Sequence, residues 1–163
     1  MKRHDSIEDY EDYVKFLESH GIKDARIKME NMYILDFLMM NEDRHLNNFG
    51  IIRDVNTLKW LDVAPIFDNG QSLNIQDYSD NEVVISGNGR LFYEVKAFDK
   101  IIKVVKDFKR IDLSKLDGVV EWFDDLLHKY QHITNMSDRR IYKLCVLLNR
   151  QINKLEQIIK KAE

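Results

Sequence analysis

Apolar positions recur at three- and four-residue steps over most of this chain, and at two-residue steps or in short runs only in its middle third. Ile7, Tyr10, Val14 and Leu17 predict an amphipathic helix over residues 6–19 with an acidic opposite face. Asp5 or Ser6 stands at its N-cap, Glu8 and Asp9 lie in its first turn, and Gly21 after His20 is a stop signal. Residues 25–40, with Asp24 in the capping position, carry Ile27, Met32, Ile34, Leu35, Leu38 and Met39. A helix apolar around so much of its circumference is expected to be buried on several sides.

The period then changes. Residues 49–52 and 57–61 predict two short strands joined by turn residues Asp54, Val55 and Asn56. Pro65 sets a rigid entry to the next loop. Residues 69–81 are polar and irregular, and their Ser72, Tyr78 and Ser79 suit turns better than phosphorylation. Residues 83–85 and 91–93 flank Ser86, Gly87, Asn88, Gly89 and Arg90, which predicts a second hairpin with a Gly-rich turn. Gly87 and Gly89 lack the third glycine and the following lysine of a phosphate-binding loop. The helical period returns over residues 98–108, from Ser114 to about His132, and from Ser137 onward, with Gly118 a weak point inside the second of these. In the last helix Ile141, Cys145, Leu148, Ile152, Leu155 and Ile159 form a stripe too short for a coiled coil, so packing against the core is expected ahead of dimerisation.

Composition narrows the class. The 163 residues fit one domain, 44% hydrophobic and 33% charged, with one proline and six glycines, which argues against a loop-rich all-β fold. The net charge of −3 offers no basic excess for nucleic acid. A single cysteine, Cys145, excludes an internal disulfide framework and suits a reducing compartment. No apolar run is long enough for a membrane span, and the start has no signal-peptide core. A cytoplasmic protein is the expectation.

The densest chemistry lies between residues 41 and 70. Asp43 stands where the apolar second helix runs out, Asn48 follows five positions later, and Asp68 comes after the predicted hairpin. A carboxylate that accepts a hydroxyl proton, with an Asn and a second carboxylate holding Mg²⁺ against phosphates, is the equipment of a kinase, and the Asp-to-Asn spacing equals that of the protein-kinase catalytic loop. The competing reading of Asp43 and Asp68 is two loop aspartates. A carboxylate at a helix C-terminus is unfavourable in the macrodipole, however, a local cost that a functional site explains. Arg44 reads as a structural ion-pair partner, His45 as a supporting group, and Asn47 as a turn residue. His128 and His132, four apart on a helix, lack a third ligand and read as solvent-facing. Tyr10, Tyr13, Trp60 and Trp122 read as core or core edge.

Asp43, His45, Asn48 and Phe49 resemble the Asp-x-His-x-x-Asn-Phe loop of the bacterial HipA-like kinases, and Ala64, Pro65 and Asp68 resemble their Ala-Pro-x-x-Asp metal loop. The Asp-Arg-His order is also similar to that of phosphoinositide 3-kinase-like enzymes. The resemblance is dense over residues 35–73 and thin elsewhere. It implies an α+β, mainly helical, kinase-like large (C-terminal) lobe spanning residues 1–163, with two short β-hairpins and the small lobe absent, because only two helices precede Asp43. It further implies ATP and Mg²⁺ as cofactors, Asp43 and His45 as catalytic groups, and Asn48 and Asp68 as cofactor and metal ligands. The substrate would be a protein Ser/Thr hydroxyl and the partner a chain carrying the small lobe, in a toxin–antitoxin setting. A non-catalytic interaction module of the same fold and a lipid or small-molecule kinase are the rivals.

Overall fold

The computed structural model describes residues 6–73 and 87–162. Among these, five α-helices and two antiparallel hairpins make an α+β, mainly helical chain in the order α1 (Ser6–Ser19), α2 (Ala25–Met39), β1 (Ile51–Arg53), β2 (Trp60–Val63), β3 (Asn88–Leu91), β4 (Glu94–Ala97), α3 (Phe98–Ile101), α4 (Val119–Thr134) and α5 (Asp138–Ala162). Two 3₁₀ turns, Ile102–Val104 and Leu113–Leu116, fill the stretch between α3 and α4. The four strands form two separate two-stranded ribbons.

Helix α2 is the spine. Ala25, Met29, Met32, Tyr33, Ile34 and Phe37 are buried along it, which covers it on several sides; of the other apolar positions Leu35, Leu38 and Met39 are half-buried and Ile27 is exposed. Tyr10, Val14 and Leu17 of α1 join the same cluster, with Phe98, Ile101 and Ile102 from beyond the second hairpin and Leu147, Leu155 and Ile159 from α5. Polar groups bolt the layers together. Gln151 of α5 donates to the Phe37 carbonyl at 2.8 Å, and the buried carboxylate of Glu30 pairs with Arg110 at 3.0 Å and accepts the Lys106 backbone N–H at 3.1 Å. Arg26 of α2 donates to Glu11 of α1 at 2.7 Å.

The ends of α1 and α5 match their sequence signals. Gly21 lies at φ 84° and closes α1, its N–H donating to the Glu18 carbonyl and the next N–H, of Ile22, to the Leu17 carbonyl, while the Ser137 hydroxyl accepts the Arg140 N–H at the start of α5. Asp5 lies outside the described residues. Other boundaries differ. Asp24 precedes α2 but makes no side-chain cap. The expected helix over 98–108 is a single α-turn followed by a 3₁₀ turn, because Phe98, Ile101, Ile102, Val104 and Val105 are all buried and satisfy packing rather than one helical face. Ser114 does not cap α4. It binds Asp112 within a 3₁₀ turn, and Gly118, at φ 75°, is the residue that begins α4. Trp122 is exposed, not core.

The first hairpin is displaced by two residues or so from its expected strands. Ile51 pairs with Val63 and Ile52 with Asp62, and Asp54 holds the turn by accepting from Asn56 N, Thr57 N and Thr57 Oγ1. In the second, residues 83–85 lie outside the described residues, and the expected Gly-rich turn is instead strand β3, with Phe92 and Tyr93 at the bend. The glycines serve close approach. A Cβ on Gly89 would sit 2.7 Å from the Phe98 ring, and one on Gly87 would sit 2.8 Å from the same ring and 2.9 Å from Met40.

Two consequences are measurable. Gly89→Ala should cost about 1–3 kcal/mol in urea unfolding, the scale of core overpacking; a loss within error of zero would contradict the tight approach. The Arg26 hydrogen bond holds the Glu11 carboxyl below its usual range. A depressed folded pKa contributes stability above the unfolded value and loses it as pH falls through the folded one. Glu11→Gln should therefore cost under about 1 kcal/mol at neutral pH, as for a partly exposed pair, and nothing in strong acid. An equal deficit at both pH values would contradict the pairing.

Candidate functional site

The segment from Met40 to Asn48 begins where α2 is stopped abruptly. Met40 adopts the left-handed conformation at φ 49°, and Asn41 N closes back on the Asp36 carbonyl at 2.9 Å. A non-glycine residue there carries backbone strain, which is common beside functional loops. Asn41 is buried. Its amide donates to Asp36 Oδ1 at 3.0 Å and its Oδ1 accepts the Asp43 N–H at 3.2 Å, so Asp43 is aimed by the helix end.

Arg44 is fully buried and is the hub of the site. Its Nε and Nη2 grip both oxygens of Asp36 at 2.9 and 2.8 Å. Its Nη1 donates to the Asn48 carbonyl at 2.6 Å and to the Phe67 carbonyl at 2.5 Å, and Nη2 also reaches the Asn69 side chain. The expectation of a structural ion pair is met, but one guanidinium does more than pair. It fastens the loop ending at Asn48 to the loop that contains Asp68.

Backbone bonds repeat that fastening along its length. Ala64 N donates to Gly50 O at 2.8 Å, Glu42 N to Gln71 O at 3.0 Å, and Leu73 N to Met39 O at 2.7 Å. Residues 64–73 thus run antiparallel beside residues 50–39, and Asp68 lies in the middle of the paired stretch, at φ 55°.

Within this frame the predicted residues occupy distinct positions. Asp43 is half-buried, with Oδ2 3.7 Å from His45 Nε2 and Oδ1 3.3 Å from Arg90 Nε. Asn48 is buried, and its Nδ2 donates to the Asp43 carbonyl at 2.9 Å. Asp43, His45 and Asn48 are therefore together. Asp68 is exposed, and among the described residues no side-chain bond joins it to those three; its neighbours Phe67 and Asn69 bring it alongside through Arg44. Phe49 anchors the loop exit, its ring 5.7 Å from Tyr13 of α1 and 5.8 Å from Phe92 of the second hairpin.

Arg90 was not among the sequence candidates. It lies in β3, more than forty residues from Asp43, and only the docking of Gly87 and Gly89 on Phe98 delivers it. Asn41, too, carried no signal beyond its place before Asp43.

Other chemistry is thin. Among the described residues no group of three or more His, Cys, Asp and Glu converges as a metal cage. His128 turns back on Asp124, 3.4 Å away, rather than toward a metal. Burial and Asp124 push the Cys145 thiol up to about 11, away from nucleophilic use. Ser72 is buried, which does not suit a modification site, while Tyr78 and Ser79 lie outside the described residues. A cavity of about 320 Å³ between the Ile102–Val104 turn and the end of α5 is lined by none of the loop residues. No helix among the described residues is long and apolar enough to cross a membrane.

Compared with family models, with curated proteins and with solved structures, the chain matches none.

Arg44→Lys keeps the charge but loses the two-pronged grip on Asp36 and the reach to both loops. It should destabilise by about 3–5 kcal/mol, as for a broken buried ion pair, in urea unfolding. A loss below about 1 kcal/mol would show that the loops do not depend on it.

Proposed function

We propose that this chain is the large lobe of a HipA-like phosphotransferase that moves the γ-phosphoryl group of ATP to a protein Ser/Thr hydroxyl. The observation that carries the reading is the Arg44 clamp, which lays the Asp43–Asn48 loop against the loop of Asp68. Three oxygen-bearing side chains, two from one loop and one from a loop twenty residues on, are thereby supported on one base at the end of α2. Kinase chemistry is mostly positioning and charge stabilisation, so a rigid base of this kind is what it requires.

In this reading Asp43 accepts the proton of the attacking hydroxyl. His45, on its far oxygen, keeps the carboxylate oriented. Asn48 Oδ1 and an Asp68 oxygen would be the side chains that hold Mg²⁺, which when bound would supply neutralisation of the phosphate charge. One amide oxygen and one carboxylate are a sufficient protein share, because Mg²⁺ retains waters and takes phosphate oxygens. The donor set here fits that demand, and with the Asn48 Nδ2 committed to the Asp43 carbonyl the amide oxygen is the free face. Arg90 binds the other Asp43 oxygen and holds the carboxylate until substrate arrives. A phosphate-covering loop, a strand Lys and a helix Glu would come from a small lobe on another chain or on a segment beyond this sequence.

The rival class is an interaction module that keeps the fold without catalysis. The Asp-Arg-His order also admits a lipid acceptor. Calorimetry of ATP binding with and without Mg²⁺ separates the first pair, using Asp68→Ala as control. Metal-dependent heat that falls at least about tenfold in affinity in the variant is expected. Heat that ignores both Mg²⁺ and Asp68 would leave the interaction module. Radiolabel transfer to protein against phosphoinositide acceptors decides the substrate class.

A further inference from the structure

Helix α4 has eight apolar residues in sixteen and none of them is buried. Its α5-facing side, with Asp124 against Cys145 and Gln131 bonded to Met136 and Asp138, is accounted for. Val119, Trp122, Leu126, Tyr130 and Ile133 remain as a second stripe, spaced by three and four residues along the whole helix. Trp122 is 60% exposed and Ile133 67%, at opposite ends of it. A stripe of this length left in water is costly, and such faces mark interaction sites.

The charges beside the stripe indicate its occupant. One flank carries the carboxylates Glu121 and Asp125 in the N-terminal half of α4 and the ammonium of Lys129, with the His132 ring beyond it, in the C-terminal half. Laid parallel about a two-fold axis, this flank would face the partner's opposite flank, where Phe123 and Leu127 stand, and its charges would find no complement. Laid antiparallel, each acidic half meets the partner's basic half, and the stripe is complementary to itself, with Leu126 near the crossing point. A two-fold interface has this self-complementarity.

We propose that α4 is the dimer interface of this protein, packing antiparallel on α4 of a second copy across Val119, Trp122, Leu126, Tyr130 and Ile133. The inference stands apart from the phosphotransferase reading, since it uses neither loop of the candidate site.

Sedimentation velocity of the full chain over a concentration series tests it. The wild type should shift from monomer to dimer mass with a Kd on the order of micromolar. Leu126→Glu should remain monomeric at every concentration while circular dichroism shows unchanged helix content. Should that variant misfold, the charge variants decide. Asp125→Lys, which meets Lys129 of the second copy, should weaken dimerisation about tenfold or more, and Asp125→Lys with Lys129→Glu should restore it. A wild-type chain that stays monomeric throughout would overturn the proposal. So would a dimer indifferent to Leu126→Glu, or one that Asp125→Lys leaves unweakened. Capture of a different protein by the same face, with no self-association, would likewise overturn it.

Discussion

A single buried guanidinium holds two loops together. Arg44 has no exposed surface, and its cost of desolvation is offset only because every donor direction is used: two bonds to Asp36, two to backbone carbonyls and one to Asn69. A buried pair of this kind adds little net stability over an apolar substitute, yet removing one partner is severe. Its value is in specifying geometry. The carbonyls it binds belong to Asn48 and Phe67, so the loop after α2 and the loop after the first hairpin cannot shift independently. Lysine, with a point charge and no planar fork, would not serve.

The rest of the fold prepares this contact. Helix α2 is buried on several sides, which fixes Asp36 in space. Its left-handed ending at Met40 turns the chain so that Arg44 comes back onto Asp36, eight residues earlier. The β1–β2 hairpin returns the chain beside its own starting point. The ring triangle of Tyr13, Phe49 and Phe92 then ties the loop exit to α1 and to the second hairpin, the same hairpin that carries Arg90 to Asp43. Helix-end strain, hairpin closure and aromatic packing are thus parts of one device that places polar groups near the end of α2. The phosphotransferase reading follows as a proposal from what those groups are.

Sequence periodicity exposed the elements whose burial is one-sided. Helices α1 and α5 have clear stripes, and α2 was legible through its nearly complete apolar circumference. Periodicity failed where packing is not periodic. Residues 98–108 are almost all apolar at the positions that matter, and an α-turn with a 3₁₀ turn buries them as well as a helix would. Gly87 and Gly89 resembled a turn because glycine signals either backbone freedom or lack of bulk, and only the position of Phe98 shows that here it is bulk. Gly118 looked like a weak helix interior and is a left-handed start. Periodicity places Trp122 at the core or its edge because it reports that a face is apolar, not that anything covers it. In the candidate site, spacing singles out Asp43, Asn48 and Asp68 as the residues to examine. Arg44 was assigned an ion pair without its span across two loops, and Arg90 carried no local signal at all, since its approach to Asp43 is set by a hairpin docked through tertiary contacts.

The most direct test is to replace Mg²⁺ by paramagnetic Mn²⁺ with ATP and record the backbone amide spectrum of the full chain, together with a small-lobe partner if one is needed for binding. The amides of residues 43–48 and of 66–70 should broaden together at substoichiometric metal, with those of α4 untouched. Broadening confined to one loop, or centred elsewhere on the molecule, would contradict a shared cation site built on Arg44.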